Sequence, residues 1–224
     1  MSDQRKSTKL EWRDGTVPVA TKFNDPYFSL ENGLAESQHV FLAGNILPKR
    51  FKDGFHIAEL GFGTGLNLLA AWQAWLSSGQ SGRLIYTSFE AYPMRIPDMR
   101  KALSNWPELQ MLTHDMLVQL ETGHFEIKTP TLSAKIIIGD ARKTLALWPQ
   151  KADAWFLDGF SPAKNPELWQ PDLMQTVAKH TKIGGTFATY TAAGHVRQSL
   201  KTAGFNVTRV AGFGRKRHMT IGAL

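Results

Sequence analysis

The fold of this chain is decided by the stretch Ile57-Ala58-Glu59-Leu60-Gly61-Phe62-Gly63-Thr64-Gly65-Leu66-Asn67. An apolar segment leads into three glycines at alternate positions, and an apolar helical pattern follows. Glycine adopts backbone conformations that other residues avoid, and it lets a ligand approach the main chain closely. The free N–H groups at the start of the following helix then point at whatever lies on the turn. The stretch therefore predicts a strand, a ligand-binding turn and a helix, which together form the first unit of an α/β fold.

The spacing of the glycines indicates which ligand the turn binds. It is G-x-G-x-G, with Leu66 where the dinucleotide pattern G-x-G-x-x-G places its last glycine. An acid, Glu59, lies two residues before the first glycine. This combination resembles motif I of S-adenosylmethionine-dependent methyltransferases, in which the loop surrounds the methionyl and ribosyl parts of the cofactor. The alternative is a purely structural turn, because glycine-rich turns recur across this fold class.

Length and composition indicate one globular domain of ordinary size. The 224 residues are 42% hydrophobic and 20% charged, and we find no low-complexity tract or repeat. No apolar run reaches membrane-spanning length, and the polar start argues against a signal peptide. The absence of cysteine excludes thiolate metal sites, disulfides and cysteine nucleophiles, and it fits a cytoplasmic location. His195 and His218 lack a second ligand at metal spacing, so we expect no metal.

The net charge of +7 is concentrated in the last quarter of the chain. From Leu173 to Leu224 there is no Asp or Glu, but there are eight basic residues, whereas the first 172 residues carry 18 basic and 19 acidic groups. One-sided basic charge is typical of proteins that bind a polyanion, so we expect a nucleic-acid partner. A solvated basic face that only aids solubility is the alternative.

After residue 50 the chain alternates strand and helix signals, which predicts a mostly parallel sheet covered on both faces. The predicted core strands cover 55–60, 84–89, 135–138, 152–157, 186–190, 206–210 and 218–222. The predicted helices cover 67–77, 96–105, 114–120, 143–147, 171–181 and 193–203. An extra strand is predicted at 125–127, and the last two core strands form an antiparallel hairpin. This layout of seven strands is that of a class I (Rossmann-like) methyltransferase.

Residues 1–50 form an N-terminal extension in front of the domain predicted over 51–224. Within it, Leu10-Glu11-Trp12 and 16–20 predict a hairpin with Asp14-Gly15 in its turn. The segment 23–29 carries three aromatic residues around a turn, and the spacing over 30–42 predicts a helix. The aromatic segment covers a cofactor or, as such residues more commonly do, packs onto the core.

Three further strand ends carry acids, and parallel strands place their carboxyl ends at one ligand-binding edge. Glu90 ends the second strand, where a carboxylate accepts hydrogen bonds from both ribose hydroxyls. Asp140 follows the third strand and either binds the adenine amine or caps the next helix. Asp158 ends the fourth strand, in the position that faces the transferred methyl group in class I methyltransferases. Exocyclic adenine amines are methylated by sites reading [DNS]-P-P-[YFW], whereas Gly159-Phe160 stands here, which disfavours that substrate.

Four segments carry a more specific resemblance: FGTGLN, DGFSPAKNPELW, TYTAAGHVRQSLKTAGF and GFGRKRHM. They resemble the family formed by the methyltransferase half of the bifunctional MnmC tRNA-modifying proteins and its stand-alone relatives. The resemblance covers the chain from Tyr27 to its end. It implies SAM as methyl donor and methylation of 5-aminomethyl-(2-thio)uridine at the tRNA wobble position to 5-methylaminomethyl-(2-thio)uridine. No second dinucleotide motif occurs, so no FAD is expected, and a separate flavin-dependent oxidoreductase would act on the preceding step.

The expected site contains one catalytic residue, Asp158. The expected cofactor-binding residues are Glu59, Gly61, Phe62, Gly63, Thr64, Gly65, Asn67, Glu90, Asp140 and Ala141. The expected substrate-binding residues are Phe160, Asn165, Tyr190, Arg215, Lys216 and Arg217. Phe160 and Tyr190 would stack on an extruded uracil, although core packing is the alternative for Tyr190. The three basic residues would contact phosphates of the anticodon stem-loop.

The chemistry of the chain agrees with an amine as methyl acceptor. Methylation of pyrimidine carbon 5 normally requires a cysteine nucleophile, which is absent, whereas a primary amine needs only an aligned lone pair. Asp158 is predicted to accept a hydrogen bond from the amine, to orient its lone pair and to take its proton directly or through water. An ionised Asp158 beside an ammonium would instead raise the amine pKa and slow the reaction. The alternative role of Asp158 is to brace its loop through backbone hydrogen bonds.

Three other functions remain open from the sequence. A spermidine-synthase-like aminopropyltransferase shares the fold, but it needs an acid-rich pocket that the acid-free last quarter does not supply. Another SAM-dependent RNA methyltransferase, such as a ribose 2′-O enzyme, commonly uses a Lys-Asp-Lys-Glu tetrad that we do not find. A non-catalytic RNA-binding module with the same fold is disfavoured because Glu59, Asp140 and Asp158 are all present.

Overall fold

A computed structural model describes residues 9–224 of the chain. The first eight residues of the predicted N-terminal extension lie outside this part. The described part of the chain begins with a small antiparallel sheet of three strands, β1 (Leu10–Arg13), β2 (Val17–Ala20) and β3 (Asp25–Pro26). The predicted Asp-Gly turn joins β1 to β2, with Asp14 at φ +50° and Gly15 at φ +78°, which confirms the hairpin.

In the described part of the chain the main sheet has eight strands, of which five neighbours run parallel. They are β4 (His56–Leu60), β5 (Leu84–Glu90), β6 (Glu126–Lys128), β7 (Leu132–Ile138), β8 (Ala152–Leu157), β9 (Thr181–Thr189), β10 (Asn206–Ala211) and β11 (His218–Ala223). Their order is β10-β11-β9-β8-β4-β5-β7-β6. From β4 the chain proceeds outwards through β5 and β7, then returns to β8 on the other side of β4. The strand order therefore reverses between β4 and β8, which is where open α/β sheets bind ligands.

Within residues 9–224, seven α-helices cover the sheet. They are α1 (Gly33–Ser37), α2 (Leu66–Ser77), α3 (Ile96–Leu103), α4 (Gln110–Leu120), α5 (Ala141–Thr144), α6 (Pro171–Lys179) and α7 (Gly194–Thr202). Because alternate strand residues face opposite sides, neighbours in one strand enter different cores. Ala154 and Phe156 pack with α2 and α4, whereas Trp155 and Leu157 pack with α6 and α7. The sheet is thus buried on both faces, as predicted for a parallel α/β fold.

Several element boundaries differ from the sequence prediction. The helix predicted over 30–42 consists of α1, a π-helical turn over Gln38–Leu42 and a 3-10 turn, and it ends where Ile46 is left-handed at φ +59°. α4 begins at Gln110, four residues earlier than predicted, because a 3-10 turn starting at Pro107 leads directly into it. α6 ends at Lys179 because β9 already begins at Thr181, with an irregularity in its pairing with β8.

The predicted fold class is confirmed: a mostly parallel sheet with an antiparallel hairpin of β10 and β11 at one edge. The eighth strand is β6, the predicted extra strand, which pairs antiparallel with β7 at the other edge. The division of the chain into an N-terminal extension over 1–50 and a methyltransferase domain over 51–224 stays a prediction.

Within residues 9–224, no helix is both long and apolar enough to cross a membrane. In the same residues, no three or more His, Asp or Glu side chains come together in a way that could hold a metal ion.

Candidate active site

A cavity of about 950 Å³ opens at the carboxyl ends of β4, β5, β7 and β8. This volume lies within the range of small-molecule and cofactor sites, which is roughly 300–1,000 Å³. We call the side chains of Glu59, Asn67, Glu90 and Asp158, on or directly below its wall, the floor. We call residues 22–37, which pass over it, the roof. The third boundary is the basic loop, residues 212–217, between β10 and β11.

The glycine turn between β4 and α2 forms one side of the cavity. Gly61 has φ +83°, and a Cβ there would lie 3.1 Å from the Cα of Gly159, so the turns after β4 and β8 meet backbone to backbone. Gly63 has φ +54°, and its Cβ would lie 3.0 Å from the ring of Tyr27 in the roof. Both positions require glycine, first for the left-handed backbone and second for the close approach. Gly65, at φ +83°, provides the N-cap of α2 and is not on the cavity wall.

A buried hydrogen-bond network joins two carboxylates of the floor. The amide Nδ2 of Asn67 donates to Glu59 Oε1 at 2.9 Å and to Asp158 Oδ2 at 2.7 Å. Ser37 Oγ donates to the amide oxygen of Asn67 at 2.6 Å, and Ser88 Oγ donates to Glu59 Oε2 at 2.7 Å. Asp158 Oδ1 accepts from its neighbour Gly159 N at 2.8 Å. Glu59 lies beneath the cavity wall, whereas Asp158 is on it.

Both of these carboxyl groups hold their protons unusually tightly. Removal from water raises the pKa of Glu59 to about 8, against the hydrogen bonds from Ser88 and Asn67 that lower it. Removal from water also raises the pKa of Asp158 to about 7, against hydrogen bonds from Gly159 N and Asn67. A carboxyl group with a pKa near neutrality in a cleft is well matched to proton transfer.

The acids at the ends of β5 and β7 have different surroundings. Glu90 is buried, and its two oxygens accept from Gly63 N at 3.0 Å and Tyr92 N at 2.7 Å, while burial raises its pKa. Asp140 is half-buried, caps α5 through Arg142 N at 3.0 Å and pairs with the Arg142 guanidinium at 2.6 Å. Its pKa is lowered, chiefly by the hydrogen bonds from that guanidinium. The capping role considered for Asp140 is therefore present in the structure, and its contact with adenine stays a prediction.

Aromatic rings enclose the cavity on the side of the segment after β8. Phe160 stacks on Phe23 of the roof with ring centroids 4.4 Å apart, and Tyr27 meets Phe160 edge-on at 5.1 Å. Tyr190 donates its hydroxyl to Gly159 O at 2.8 Å, and Lys216 Nζ lies 4.3 Å from the centre of its ring. The sequence did not identify Phe23 as a partner of Phe160, although it marked the aromatic segment 23–29.

Ion pairs connect the roof to the loops around the cavity mouth. Asp25 accepts from Ser161 N at 2.8 Å and pairs with Lys164 at 2.9 Å. In the basic loop, Arg215 pairs with Glu31 at 3.1 Å and Lys216 pairs with Glu36 at 2.7 Å. The roof acids cannot be identified from the sequence, because their partners are more than a hundred residues away along the chain.

The cavity wall contains most of the residues that the sequence singled out. Those on the wall are Gly61, Phe62, Gly63, Thr64, Asn67, Glu90, Asp140, Ala141, Asp158, Phe160, Asn165, Tyr190, Arg215 and Lys216. Glu59 and Gly65 are not on the wall, and neither is Arg217, which is exposed. Within residues 9–224, Arg217 forms no ion pair with an acid.

The chain is similar in sequence to known proteins. Residues 100–224 match the family described as S-adenosyl-L-methionine-dependent methyltransferase. The chain is 42% identical over 233 residues to the tRNA 5-methylaminomethyl-2-thiouridine biosynthesis bifunctional protein MnmC of Marinomonas sp. (strain MWYL1). That alignment covers 100% of this chain and 35% of the relative, so the chain spans about a third of the length of the curated relatives it matches.

Two solved structures are also similar. The crystal structure of MNMC2 from Aquifex aeolicus matches with a TM-score of 0.76 and 28% identity, covering 99% of this chain and 72% of that one. Spermidine synthase from Thermotoga maritima matches with a TM-score of 0.52 and 10% identity, covering 96% of this chain and 71% of that one. The second likeness shows the shared fold alone.

Proposed function

The chain belongs to the S-adenosyl-L-methionine-dependent methyltransferase family, and from that premise we propose that it N-methylates 5-aminomethyl-(2-thio)uridine at the wobble position of tRNA. The product is 5-methylaminomethyl-(2-thio)uridine. The observation that carries this proposal is the position of Asp158, which has a pKa of about 7 and lies at the strand-order reversal, on the wall of a cavity edged by cations. The relatives' names, which refer to this tRNA modification, support the choice of substrate.

The residues of the cavity fit S-adenosylmethionine. The turn at Gly61 and Gly63 offers bare backbone to the methionyl part, and Glu90 has lone pairs left for the ribose hydroxyls. Asp140 and Ala141 lie on the wall where the adenine would bind. When bound, S-adenosylmethionine supplies an electrophilic methyl group on a positively charged sulfur.

The raised pKa of Asp158 makes it a better acceptor for the proton that the substrate ammonium must lose before methylation. An alkylammonium with the pKa of a lysine, about 10.4, gives up its proton reluctantly to an ordinary aspartate. Raising the pKa of the acceptor from 3.8 to about 7 makes that transfer less unfavourable by roughly 4 kcal/mol, at about 1.4 kcal/mol per pKa unit. Asp158 thus accepts the ammonium proton, and the lone pair left on nitrogen at first points back at this acid. Rotation about the C–N bond then turns the lone pair towards the methyl group, while a remaining N–H of the amine donates to a carboxyl oxygen of Asp158.

The walls around Asp158 suit an extruded base on an RNA strand. Phe160 and Tyr190 provide ring faces and edges, and Asn165 provides an amide on the same wall. Arg215, Lys216 and Arg217 would contact phosphates of the anticodon stem-loop. We place the reaction in the cytoplasm, with a flavin-dependent oxidoreductase supplying the amine in the preceding step.

The aminopropyltransferase alternative is disfavoured by how the acids at the mouth are paired. Asp25, Glu31 and Glu36 do bring acids to the cavity, although the last quarter of the chain has none. Each of them pairs with a cation, Lys164, Arg215 and Lys216 respectively. A polycationic acceptor would therefore compete with three internal cations, which makes the mouth a poor site for a polyamine.

The proposal is tested by incubating the protein with S-adenosylmethionine and tRNA that lacks the final methyl group, then weighing the digested nucleosides. We expect the wobble uridine to gain one methyl group with the wild-type protein and with Asp172→Ala, an exposed acid on α6. Asp158→Ala should abolish the gain. Wild-type protein that binds S-adenosylmethionine but leaves the wobble uridine unchanged would contradict the proposal.

A further inference from the structure

Asn67 has an unusual set of contacts for a residue beside a cofactor loop. It lies on the first turn of α2 and is buried. Its Nδ2 has two hydrogens, one donated to Glu59 and one to Asp158, at 2.9 and 2.7 Å. Its oxygen accepts from Ser37 at 2.6 Å. Both hydrogens of the amide are thus bound to carboxylates of the protein, although the sequence predicted Asn67 as a cofactor contact.

The hydroxyl of Ser37 fixes which way this amide faces. If the amide were reversed, its oxygen would point at two carboxylates, and its two N–H groups would crowd a single hydroxyl. The observed orientation is the one in which all three groups find a complementary partner. Glu59 is the last residue but one of β4, and Asp158 directly follows the neighbouring strand β8. The Asn67 amide donates to both carboxyl groups, so whenever both are ionised it lies between two like charges.

We propose that Asn67 is a positioning residue whose amide holds the Asp158 carboxylate at the cavity wall and separates it from the carboxylate of Glu59. This inference rests on the proposed function, because Asp158 is the proton acceptor of that reaction. Donation by Asn67 stabilises the charged form of Asp158 and opposes the effect of burial. Ser37 acts one step further back, since it orients the amide of Asn67.

Other charged and titratable groups also face Asp158, so its titration has several contributors. They come from the strands beneath, from the roof and from the C-terminal elements: Glu59, Tyr86, Glu36, Tyr190 and Lys216. Among residues 9–224, Asn67 reaches the Asp158 carboxylate with a side-chain hydrogen bond at 2.7 Å, and Asn67 carries no charge. Its removal should therefore change the Asp158 pKa without a change in net charge.

The test is a titration of the Asp158 carboxyl carbon by ¹³C NMR in the protein without substrate. In Asn67→Ala the carboxylate loses a donor, so its pKa should rise by roughly one to two units, the equivalent of one hydrogen bond to a charged group. The acidic limb of the pH profile of kcat/KM should move to higher pH by the same amount. The affinity for S-adenosylmethionine, measured by calorimetry, should change less than about threefold. The reason is that the Asn67 amide is already hydrogen-bonded to Glu59, Asp158 and Ser37 and so has no free hydrogen for the cofactor.

Two serine variants provide matched controls. Ser37→Ala should shift the Asp158 titration in the same direction but by less, and it stays decisive if Asn67→Ala does not fold. Ser88→Ala loses a hydrogen bond of similar length to Glu59, at 2.7 Å, and should shift Asp158 less than Ser37→Ala does. An Asp158 titration unmoved by both Asn67→Ala and Ser37→Ala, or a loss of cofactor affinity that parallels the loss of activity, would overturn the inference. The NMR titration needs no tRNA, so its failure is distinct from a failure of the wild-type protein to methylate tRNA.

Discussion

The floor and the roof of the cavity hold their carboxylates in opposite ways. On the floor, Glu59 and Asp158 are withdrawn from water and bonded to amides and hydroxyls, and their pKa values are raised to about 8 and about 7. In the roof, Glu31 and Glu36 pair with Arg215 and Lys216, two cations of the basic loop. The floor thus has carboxyl groups that exchange protons near neutrality, whereas the roof has carboxylates whose partners are cations.

The floor therefore suits proton transfer, whereas the roof suits the admission of an RNA strand to the cavity. Three of the four floor residues, Glu59, Glu90 and Asp158, lie at or directly after the ends of hydrogen-bonded strands, so the register of the sheet holds them. The Arg215–Glu31 pair is exposed, and such a pair contributes only about 0–1 kcal/mol and is screened by salt, so the roof is held weakly at this contact. We therefore expect RNA phosphates to replace the roof acids as partners of the basic-loop cations. The side chains of the floor should keep their positions when this happens.

The largest effect should come from a neutral substitution on the floor. Asp158→Asn keeps the shape of the side chain but removes its ability to accept a proton, so kcat/KM should fall by about 10²–10⁴-fold. The affinity for S-adenosylmethionine should stay nearly unchanged. The same substitution in the roof, Asp25→Asn, should cost about tenfold or less, because it weakens only the contacts with Ser161 and Lys164. Equal losses in steady-state assays of the two variants would remove the distinction between floor and roof.

A second comparison uses two glycines of one turn. In Gly61→Ala the new Cβ meets the backbone of Gly159, which has no room to move, whereas in Gly63→Ala it meets the Tyr27 side chain. Both variants carry the cost of a left-handed alanine, about 1–2 kcal/mol. Gly61→Ala should lose about 1–3 kcal/mol more in urea denaturation, because its backbone contact is strained as well. A greater loss in Gly63→Ala would show that the roof is the more rigid side.

The pH dependence of stability should report on Glu59. Its pKa is raised in the folded protein, from 4.5 to about 8, so the folded form is favoured while Glu59 is protonated. That contribution is complete below the unfolded pKa and is lost as pH rises through about 8. Glu59→Gln should remove a slope of up to about 1.4 kcal/mol per pH unit in this window. Urea denaturation of both proteins at several pH values measures it, and parallel curves would show that Glu59 titrates normally.

The smallest effect should distinguish two arginines of the basic loop. Arg217 is exposed and has no acid partner among residues 9–224, so Arg217→Gln should reduce the salt slope of tRNA binding by about 0.7–0.9. Arg215 is paired with Glu31, so Arg215→Gln should reduce the slope less. Binding isotherms at several salt concentrations provide both values. An unchanged slope in Arg217→Gln would place the RNA on another face.

The sequence predicted the floor better than the roof, and the reason is geometric. Parallel strands end at one edge, so Glu90 and Asp158 of the floor could be brought together from strand order alone, with Gly61 and Asp140 on the wall beside them. The amide bridge of Asn67 could not, because it depends on side-chain rotamers at the start of α2. The roof pairs could not either, since Glu36 and Lys216 are 180 residues apart and their meeting depends on how the N-terminal segment packs.

The most direct test is the structure of the protein crystallised with S-adenosylmethionine. The methionyl part should lie along Gly61 and Gly63, the ribose at Glu90, and the transferable methyl group should face the carboxylate of Asp158. Cofactor bound elsewhere, or an Asp158 side chain turned away from the methyl group, would contradict the assignment of this edge of the sheet as the catalytic site.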